Sequence, residues 1–145
     1  MIRKATKSDI DKINELGMNL HNNFKETYHM ETEVTNPLAM LYVYEESNEI
    51  KAYVYLINLE DNMDLLSIYV DNKVRHTGIG TSLIKYMQNN YPNKTITLEV
   101  STKNQTALNL YQKMGFEKVG LRKNYYDNAD GLVMKWGIKW KISKY

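Results

Sequence analysis

The stretch LLSIYVDNKVRHTGIGTSLI, residues 65–84, decides the fold of this chain. Its first part, Leu65–Val70, is rich in apolar and aromatic residues and predicts a strand. Its last part predicts the start of a helix, because apolar side chains recur there at helical spacing. The loop Arg75-His76-Thr77-Gly78-Ile79-Gly80 connects the two elements directly. A turn with two close glycines between a strand and a helix is therefore the central feature of the sequence.

The glycine-rich loop predicts an anion site. Gly78 and Gly80 allow the backbone to turn with positive φ and let a ligand approach closely, and N–H groups at the start of the helix then face that ligand. Arg75 adds a guanidinium that can bind phosphate in a bidentate way. A P-loop would need lysine where Thr81 stands, and a Rossmann fingerprint would need glycine in place of Leu83. On these residues alone, an ordinary glycine turn before a helix is the alternative.

A second motif, LEVSTKNQTALNLYQKMGFEKVG, covers residues 98–120. Thr95–Val100 alternates between apolar and polar residues, which predicts a strand with Glu99 on its less apolar face. Asn104–Met114 carries an apolar stripe at helical spacing and predicts a helix. Gly115 stands where a left-handed C-cap belongs. A strand, a helix and a helix stop thus follow one another at close range.

The remaining segments complete a mixed sheet. Ile2–Ala5 predicts a first strand, and two helical stretches follow, the second over Asn22–Met30. The other predicted strands are Leu38–Glu45, Glu49–Asn58, Phe116–Leu121 and Leu132–Trp136, with a polar loop, Arg122–Gly131, between the last two. The order is β-α-α-β-β-β-α-β-α-β-β, which predicts an α+β fold with helices flanking a mixed, mostly antiparallel sheet. Since the sequence has no linker or repeat, residues 1–145 are expected to form a single domain.

The composition excludes several classes of protein. The 145 residues carry a formal charge of +2, which is not the strongly basic balance of a nucleic-acid-binding domain. No stretch is long and apolar enough to span a membrane, and the charged N-terminus does not resemble a secretory signal. We therefore expect a cytoplasmic protein that binds neither nucleic acid nor membrane directly.

The inventory of side chains limits the chemistry. The chain has no cysteine, which excludes a thiolate metal site and a cysteine-acylated intermediate. His21 and His29 show no ligand spacing and no HExxH pattern is present, so no metal is expected. The segment from Lys135 to Tyr145 contains four lysines and no acid. A solvated terminal strand explains these lysines, and a site for an acidic partner is the alternative.

The two motifs, in this order and spacing, resemble the core motifs of the GNAT superfamily of N-acetyltransferases. The spacing R-x-x-G-x-G is similar to the pyrophosphate loop of these enzymes, and the likeness covers roughly the last two thirds of the chain. The segments LEVSTKN, ALNLYQKMGF and Arg122-Lys123-Asn124-Tyr125-Tyr126 resemble the ribosomal-protein-alanine N-acetyltransferases. The resemblance implies a GNAT-type fold and an enzyme that transfers an acetyl group from acetyl-CoA to a primary amine.

The resemblance also implies where coenzyme A binds. The loop would hold its pyrophosphate through Arg75, His76, Thr77, Gly78, Ile79, Gly80 and Thr81. The backbone of Ile68, Tyr69 and Val70 would pair with the pantetheine arm as an added strand, with main-chain hydrogen bonds as the source of affinity. The Val70 N–H would stabilise the thioester oxygen, and Asn104 would contact the coenzyme. For His76, a solvated position in the loop is the alternative.

Within the resemblance, Glu99 aligns with the general base of the family and Tyr111 with its general acid. The residue types suit these roles, because a carboxylate can take a proton from an amine and a phenol with a pKa near 10 keeps a proton for the CoA thiolate. Since no cysteine is present, direct transfer in a ternary complex is the expected scheme. Without the family, a solvated or ion-paired glutamate and a core tyrosine are the more common explanations.

The residues leave the acceptor open. The stretch HNNFKETYHMETEVTNP, residues 21–37, lacks the Phe-Pro-Trp segment with which the ribosomal-protein family shapes its acceptor groove. Tyr28, Tyr125 and Tyr126 are candidates to line the acceptor side, although surface tyrosines are common in a tyrosine-rich chain. Because Arg122–Tyr126 is basic and aromatic, a protein N-terminus is favoured, and lysine, polyamine, aminoglycoside and other small amines are alternatives. A non-catalytic acyl-CoA sensor or a ribosome-associated module is the alternative of another class, and either a monomer or a homodimer is expected.

Overall fold

A computed structural model describes residues 1–126 and 129–137 of the chain. The strands within these residues are Ile2–Lys4 (β1), Ala39–Glu46 (β2), Glu49–Leu59 (β3), Asn62–Val70 (β4), Thr95–Ser101 (β5), Glu117–Tyr126 (β6) and Ala129–Trp136 (β7). The α-helices are Ile10–Gly17 (α1), Phe24–Tyr28 (α2), Met30–Glu33 (α3), Ile79–Asn90 (α4) and Gln105–Lys113 (α5). A 3-10 turn, Lys7–Asp9, precedes α1, and a second one, Asn72–Val74, follows β4.

The strands form one sheet in the order β1-β2-β3-β4-β5-β7-β6. All neighbouring strands are antiparallel except β4 and β5, which are parallel. The hairpin between β2 and β3 turns at Ser47 and Asn48, and both residues have the positive φ that a tight hairpin turn favours. The α+β class and the mixed, mostly antiparallel sheet that the sequence predicts are therefore confirmed.

Helices cover both faces of the sheet, and each face has its own core. On one face, Leu83 of α4 and Leu108 of α5 pack with Val54 of β3. On the other face, Ile13 of α1 and Phe24 of α2 pack with Tyr53, the preceding residue of β3. Burying one such side chain stabilises the fold by about 1.5–3 kcal/mol. Successive side chains of β3 thus enter different cores, and the helices that pack on them lie on opposite sides of one sheet.

A bulge in β4 separates this strand from β5. Leu65 and Ser67 lie opposite adjacent residues of β3, so Leu66 is an extra residue in β4. An extra residue bends a strand and increases its twist. The pairing between β4 and β5 joins Asn62–Asp64 to Thr95–Thr97 and, among the described residues, ends there. The two parallel strands therefore diverge toward their C-terminal ends.

The segment between β1 and β2 differs from the prediction. The sequence predicts one helical stretch over Asn22–Met30, whereas the structure has α2 and α3 on either side of His29, whose φ is 49°. A residue in the left-handed region cannot continue a right-handed helix, so the chain turns at this point. Tyr28, the last residue of α2, donates a hydrogen bond from its hydroxyl to the Leu66 carbonyl oxygen at 3.1 Å.

The prediction of a polar loop over Arg122–Gly131 is wrong, because most of these residues belong to strands. β6 continues to Tyr126, and β7 begins at Ala129. β6 lies at the edge of the sheet, where polar side chains face solvent and protect the strand from pairing with other chains. A register shift between Arg122 and Tyr126 marks an irregularity within the hairpin. Of the predicted lysine-rich terminal strand, residues 138–145 lie outside the described residues.

Candidate active site

The glycine-rich loop follows the C-terminal end of β4, where β4 is no longer paired with β5. We call the space between Leu65–Val70 of β4 and Leu98–Ser101 of β5 the strand gap. Helix α4 begins after Gly78, an N-cap that has no side chain and a φ of 85°. The N–H groups of residues 79–81 therefore have no intrahelical acceptor. Together with the helix dipole, they form an end of the helix that can hold an anion.

The two glycines of the loop differ in conformation and in surroundings. Gly78 has the positive φ, although a Cβ at this position would meet no other atom within 4 Å. Gly80 is helical, and a Cβ there would lie 3.7 Å from the side chains of Leu110 and Val70, which is an ordinary contact. A longer side chain at position 80 would extend into the seam between β4 and α5. The first glycine thus serves the backbone turn, whereas the second has room for a Cβ beside Leu110 and Val70.

Arg75 is held by contacts with β4. Its guanidinium stacks over the Tyr69 ring, with Cζ 4.9 Å from the ring centroid, and Nε donates to the Val70 carbonyl oxygen at 3.2 Å. These contacts leave the two Nη groups for a further acceptor. His76 is exposed, and the Thr77 hydroxyl donates at 2.5 Å to a carbonyl of the preceding 3-10 turn. The loop thus presents the arginine to an anion, while the threonine hydroxyl stabilises the turn.

The backbone of β4 directs polar groups into the strand gap. The Asp71 N–H donates to the Lys51 carbonyl oxygen, so these two residues form a hydrogen-bonded pair of the antiparallel ladder. Such pairs alternate along a ladder. Ile68 and Val70 therefore point their N–H and C=O groups away from β3, whereas Tyr69 pairs with β3. An extended ligand in the gap would find alternating donors and acceptors along this edge.

Glu99 lies on the part of β5 that borders the strand gap. Its side chain is 22% exposed, and Oε1 forms an ion pair with Nε of Arg122 at 3.1 Å. Oε2 is buried and has no hydrogen-bond partner among the described residues. Buried carboxylate oxygens are normally paired with a donor, because burying them unpaired is costly. This oxygen is therefore placed to accept a hydrogen bond from a ligand.

Tyr111 lies on α5 and belongs to the core beneath α4 and α5. Its ring is 6% exposed and packs against Phe116 at a centroid distance of 5.6 Å. Burial, with a smaller contribution from Tyr126, raises the pKa of Tyr111 to about 12. The phenol therefore keeps its proton at neutral pH, as a proton donor must.

Tyr126 is electrostatically linked to both Glu99 and Tyr111. Burial raises the pKa of Tyr126, and the negative charge of Glu99 raises it further, with Tyr125 and Tyr28 contributing in the same direction. Tyr126 in turn contributes to the raised pKa of Tyr111. Tyr126 thus influences the pKa of Tyr111 and is itself influenced by the charge of Glu99.

The three tyrosines that the sequence suggests for the acceptor side come from α2 and β6 and lie close together. Tyr125 packs edge to face against Tyr126 at a centroid distance of 5.0 Å, and Cζ of Arg122 lies 5.2 Å from the Tyr125 ring centroid. Tyr28 packs edge to face against Tyr55 at 5.6 Å. Burial, followed by the interaction with Tyr125, raises the pKa of Tyr28. The Tyr125 ring thus lies beside the guanidinium that pairs with the carboxylate of Glu99.

Asn104 caps helix α5. Its Oδ1 accepts a hydrogen bond from the Ala107 N–H at 3.2 Å, and such a cap stabilises a helix by about 1 kcal/mol. The residue is exposed, and its Nδ2 group is left by this contact for another acceptor. A contact with coenzyme A at this position stays a prediction.

Two features of the site are not among those that the sequence predicts. The bulge has a signal in the sequence, because the residues that face α4 and α5 fall at 63 and 65 and then at 68 and 70, and this change of phase requires an extra residue. The ion pair between Arg122 and Glu99 has none, because it joins two strands that are separated in the sheet by β7.

No helix within the described residues is long and apolar enough to cross a bilayer. The same residues contain no group of three or more His, Cys, Asp or Glu side chains that could hold a metal ion.

Comparison with known proteins identifies the family. The model of the acetyltransferase (GNAT) domain matches residues 9–136. The chain belongs to the GNAT acetyltransferases. This GNAT protein is 31% identical to an N-alpha-acetyltransferase of Sulfurisphaera tokodaii, over 92% of its own length and 90% of the relative. It is 26% identical to a peptidyl-lysine N-acetyltransferase of Escherichia coli, over 95% of its length and 97% of the relative.

A solved structure confirms the fold. The ribosomal-protein-S18-alanine N-acetyltransferase of Escherichia coli matches with a TM-score of 0.83 at 21% identity, over 93% of this chain and 91% of that chain. At this identity the likeness supports the fold alone, and it confirms the GNAT-type architecture. The family makes this protein an N-acetyltransferase and implies acetyl-CoA as the donor.

Proposed function

We propose that this GNAT protein transfers the acetyl group of acetyl-CoA to the N-terminus of a protein or peptide. The observation that carries the proposal is the strand gap, whose β4 edge ends beside the N–H groups at the start of α4. An extended chain can pair with such an edge, and a diphosphate at its end then reaches the helix terminus. Coenzyme A has these two parts in this order. The family match over residues 9–136 also supports a single acetyltransferase domain over residues 1–145.

On the donor side, which comprises the β4 edge Ile68–Val70 and the loop Arg75–Thr81, the backbone would hold the coenzyme. The N–H groups of the first turn of α4 and the Nη groups of Arg75 would bind the pyrophosphate. The gap-facing groups of β4 would pair with the pantetheine arm. The Val70 N–H would donate to the thioester oxygen, where negative charge develops during attack. Asn104 would contact the coenzyme from the start of α5.

On the acceptor side, which comprises Glu99, Arg122, Tyr28, Tyr125 and Tyr126, the amine would be activated. Oε2 of Glu99 would accept a proton from the amine, directly or through a water. The nitrogen then attacks the acetyl carbon, so that a C–N bond forms and the C–S bond breaks. Tyr111 would donate its proton to the departing thiolate. The transfer requires no acylated side chain, which agrees with a sequence that has no cysteine.

The proposed acceptor rests on the aromatic surroundings of Glu99 and on the relatives. Tyrosine rings offer flat apolar surface for the first side chains of a peptide, together with hydroxyl groups for its backbone. The relative from Sulfurisphaera tokodaii is named for transfer to an α-amine. The relative from Escherichia coli is named for transfer to lysine, so lysine is included in the test.

The proposal is tested by mass spectrometry of acetylated products. The purified protein is incubated with acetyl-CoA and an equimolar mixture of peptides with free N-termini, N-terminally blocked peptides with one lysine, and polyamines. We expect N-terminal acetylation at least about tenfold faster than acetylation of any other amine. Acetylation confined to lysine or polyamines would contradict the proposed acceptor. Binding of acetyl-CoA without turnover of any amine would contradict the proposed reaction and indicate a sensor.

A further inference from the structure

Arg122 is held where it can contact an acceptor. Its Nε pairs with Oε1 of Glu99 at 3.1 Å, and its Cζ lies 5.2 Å from the centroid of the Tyr125 ring. The ion pair is formed by Nε, so it leaves the two Nη groups of the guanidinium, and the side chain is 61% exposed. Arg122 therefore combines a fixed position beside the carboxylate of Glu99 with donors that a ligand can reach.

The hairpin of β6 and β7 is shaped to keep Arg122 and Tyr125 in this position. Asn124 has a φ of 56°, and its N–H donates to Oδ1 of Asp130 at 2.8 Å. A Cβ on Gly131 would lie 3.1 Å from the Tyr125 side chain, so a side chain at this position would displace the ring. Arg122 lies directly opposite Gly131 of β7. Because Gly131 has no side chain, the guanidinium can cross β7 and contact Glu99 of β5.

We propose that Arg122 selects acceptors that carry a carboxylate close to the reactive amine, and disfavours acceptors with a second cation. The inference rests on the proposed function, because it concerns the acceptor of the same reaction. Glu99 has two carboxylate oxygens, of which Arg122 occupies Oε1, and the buried Oε2 is left for the amine. The guanidinium and the reacting amine would then share one carboxylate.

This arrangement makes the site sensitive to the charge of the rest of the acceptor. The Nη groups of Arg122 can bind a carboxylate in a bidentate way, which gives both affinity and orientation. A second ammonium group beside the amine would instead be repelled by the guanidinium. The arginine would keep its contact with Glu99 through Nε while it binds the acceptor, so neither interaction excludes the other.

The carboxylate could come from two sources. In a peptide it would be the side chain of an acidic residue directly after the acetylated N-terminus. In a free amino acid it would be the α-carboxylate. Both present the same group to Arg122, and the set of acceptors in the experiment separates them.

The experiment measures kcat/KM for the wild-type protein and for Arg122→Gln on peptides that differ only at the second residue, which is Asp, Asn or Lys. All peptides have amidated C-termini, and free alanine is compared with alaninamide. We expect the wild-type protein to prefer Asp over Asn and Asn over Lys by about tenfold at each step. In Arg122→Gln the three values should agree within about threefold, while Arg122→Lys should recover part of the preference.

The matched control is Lys123→Gln, which removes the same charge from the adjacent exposed residue and should keep the wild-type preference. A preference among the peptides assigns the carboxylate to a peptide, and a preference for alanine over alaninamide assigns it to a free amino acid. Equal rates in the wild-type protein both across the peptides and between alanine and alaninamide, or an unchanged preference in Arg122→Gln, would overturn the inference and leave the proposed function intact. Absence of turnover with every acceptor would instead overturn the proposed function and the inference with it.

Discussion

The donor side and the acceptor side of the strand gap are built from different kinds of groups. The donor side consists mainly of backbone: the N–H groups at the start of α4 and the gap-facing groups of Ile68 and Val70. The acceptor side consists of side chains that come from α2, β5 and β6. Backbone groups persist when single side chains change, whereas each side chain can be removed alone. We therefore expect acceptor-side variants to change turnover and donor-side variants to change coenzyme affinity.

Glu99→Gln should have the largest effect. The amide keeps the shape of the side chain but cannot accept the proton of the amine, so kcat should fall by at least about 100-fold. Calorimetry should find the affinity for acetyl-CoA unchanged, because the donor side is intact. Glu46→Gln, on β2 at the far side of the sheet, is the control and should keep full activity. Full activity in Glu99→Gln would contradict the proposed role of Glu99 as proton acceptor.

Tyr111→Phe should have the next largest effect. The phenyl ring preserves the packing against Phe116, but the thiolate loses its proton donor, and we expect kcat to fall by about 10- to 100-fold. The control is Tyr53→Phe, which removes another buried hydroxyl, one that bonds to Ser67 at 2.7 Å. That variant should lose about 1 kcal/mol of stability with little change in kcat. If the two variants were equally active, Tyr111 would have a structural role only.

Gly78→Ala should weaken the donor side specifically. The φ of 85° is costly for alanine, by about 1–2 kcal/mol, and relaxation of the turn would reorient the N–H groups of α4. We expect the Kd for acetyl-CoA to rise by about tenfold, with a smaller change in kcat. Gly120→Ala serves as the control, because a Cβ there would lie 3.8 Å from Val133 without strain. Equal Kd values for both variants would contradict the assignment of the loop.

The buried phenol of Tyr111 should cause a small loss of stability at alkaline pH. In the unfolded chain a tyrosine has a pKa near 10, whereas the pKa of Tyr111 in the folded protein is about 12. Between these values the unfolded chain binds fewer protons, so the free energy of unfolding falls as the pH rises above 10. Urea unfolding from pH 8 to 11 should show a loss smaller by about 1 kcal/mol in Tyr111→Phe. Identical pH curves for Tyr111→Phe and wild type would contradict the burial.

The difference between the two sides also explains how much of the site the sequence could predict. The donor side follows from one contiguous motif, because a strand, two glycines and a helix start are all local features. The acceptor side depends on the contact between Arg122 and Glu99, which no local pattern signals. The sequence predicts a loop in place of the hairpin that carries Arg122, since the polar residues of an edge strand have the composition of a loop.

In the fold, too, local patterns predict some features and not others. Periodicity predicts the helices and strands whose faces are buried, such as α5 and β3. It does not predict the break at His29, where a non-glycine residue adopts a φ of 49°. The bulge at Leu66 breaks the alternation of β4 and thereby opens the strand gap. A tertiary contact, the hydrogen bond from the Tyr28 hydroxyl to the Leu66 carbonyl oxygen, joins the segment before His29 to the bulge.

The most direct test of the strand gap is residue-resolved amide hydrogen exchange by NMR, with and without acetyl-CoA. If the coenzyme pairs with β4, the amides of Ile68 and Val70 and those at the start of α4 should become protected by at least about tenfold. The amide of Tyr69, which faces β3, provides an internal reference that should change little. Unchanged exchange at Ile68 and Val70 in the presence of saturating acetyl-CoA, or protection confined to another part of the sheet, would contradict the account.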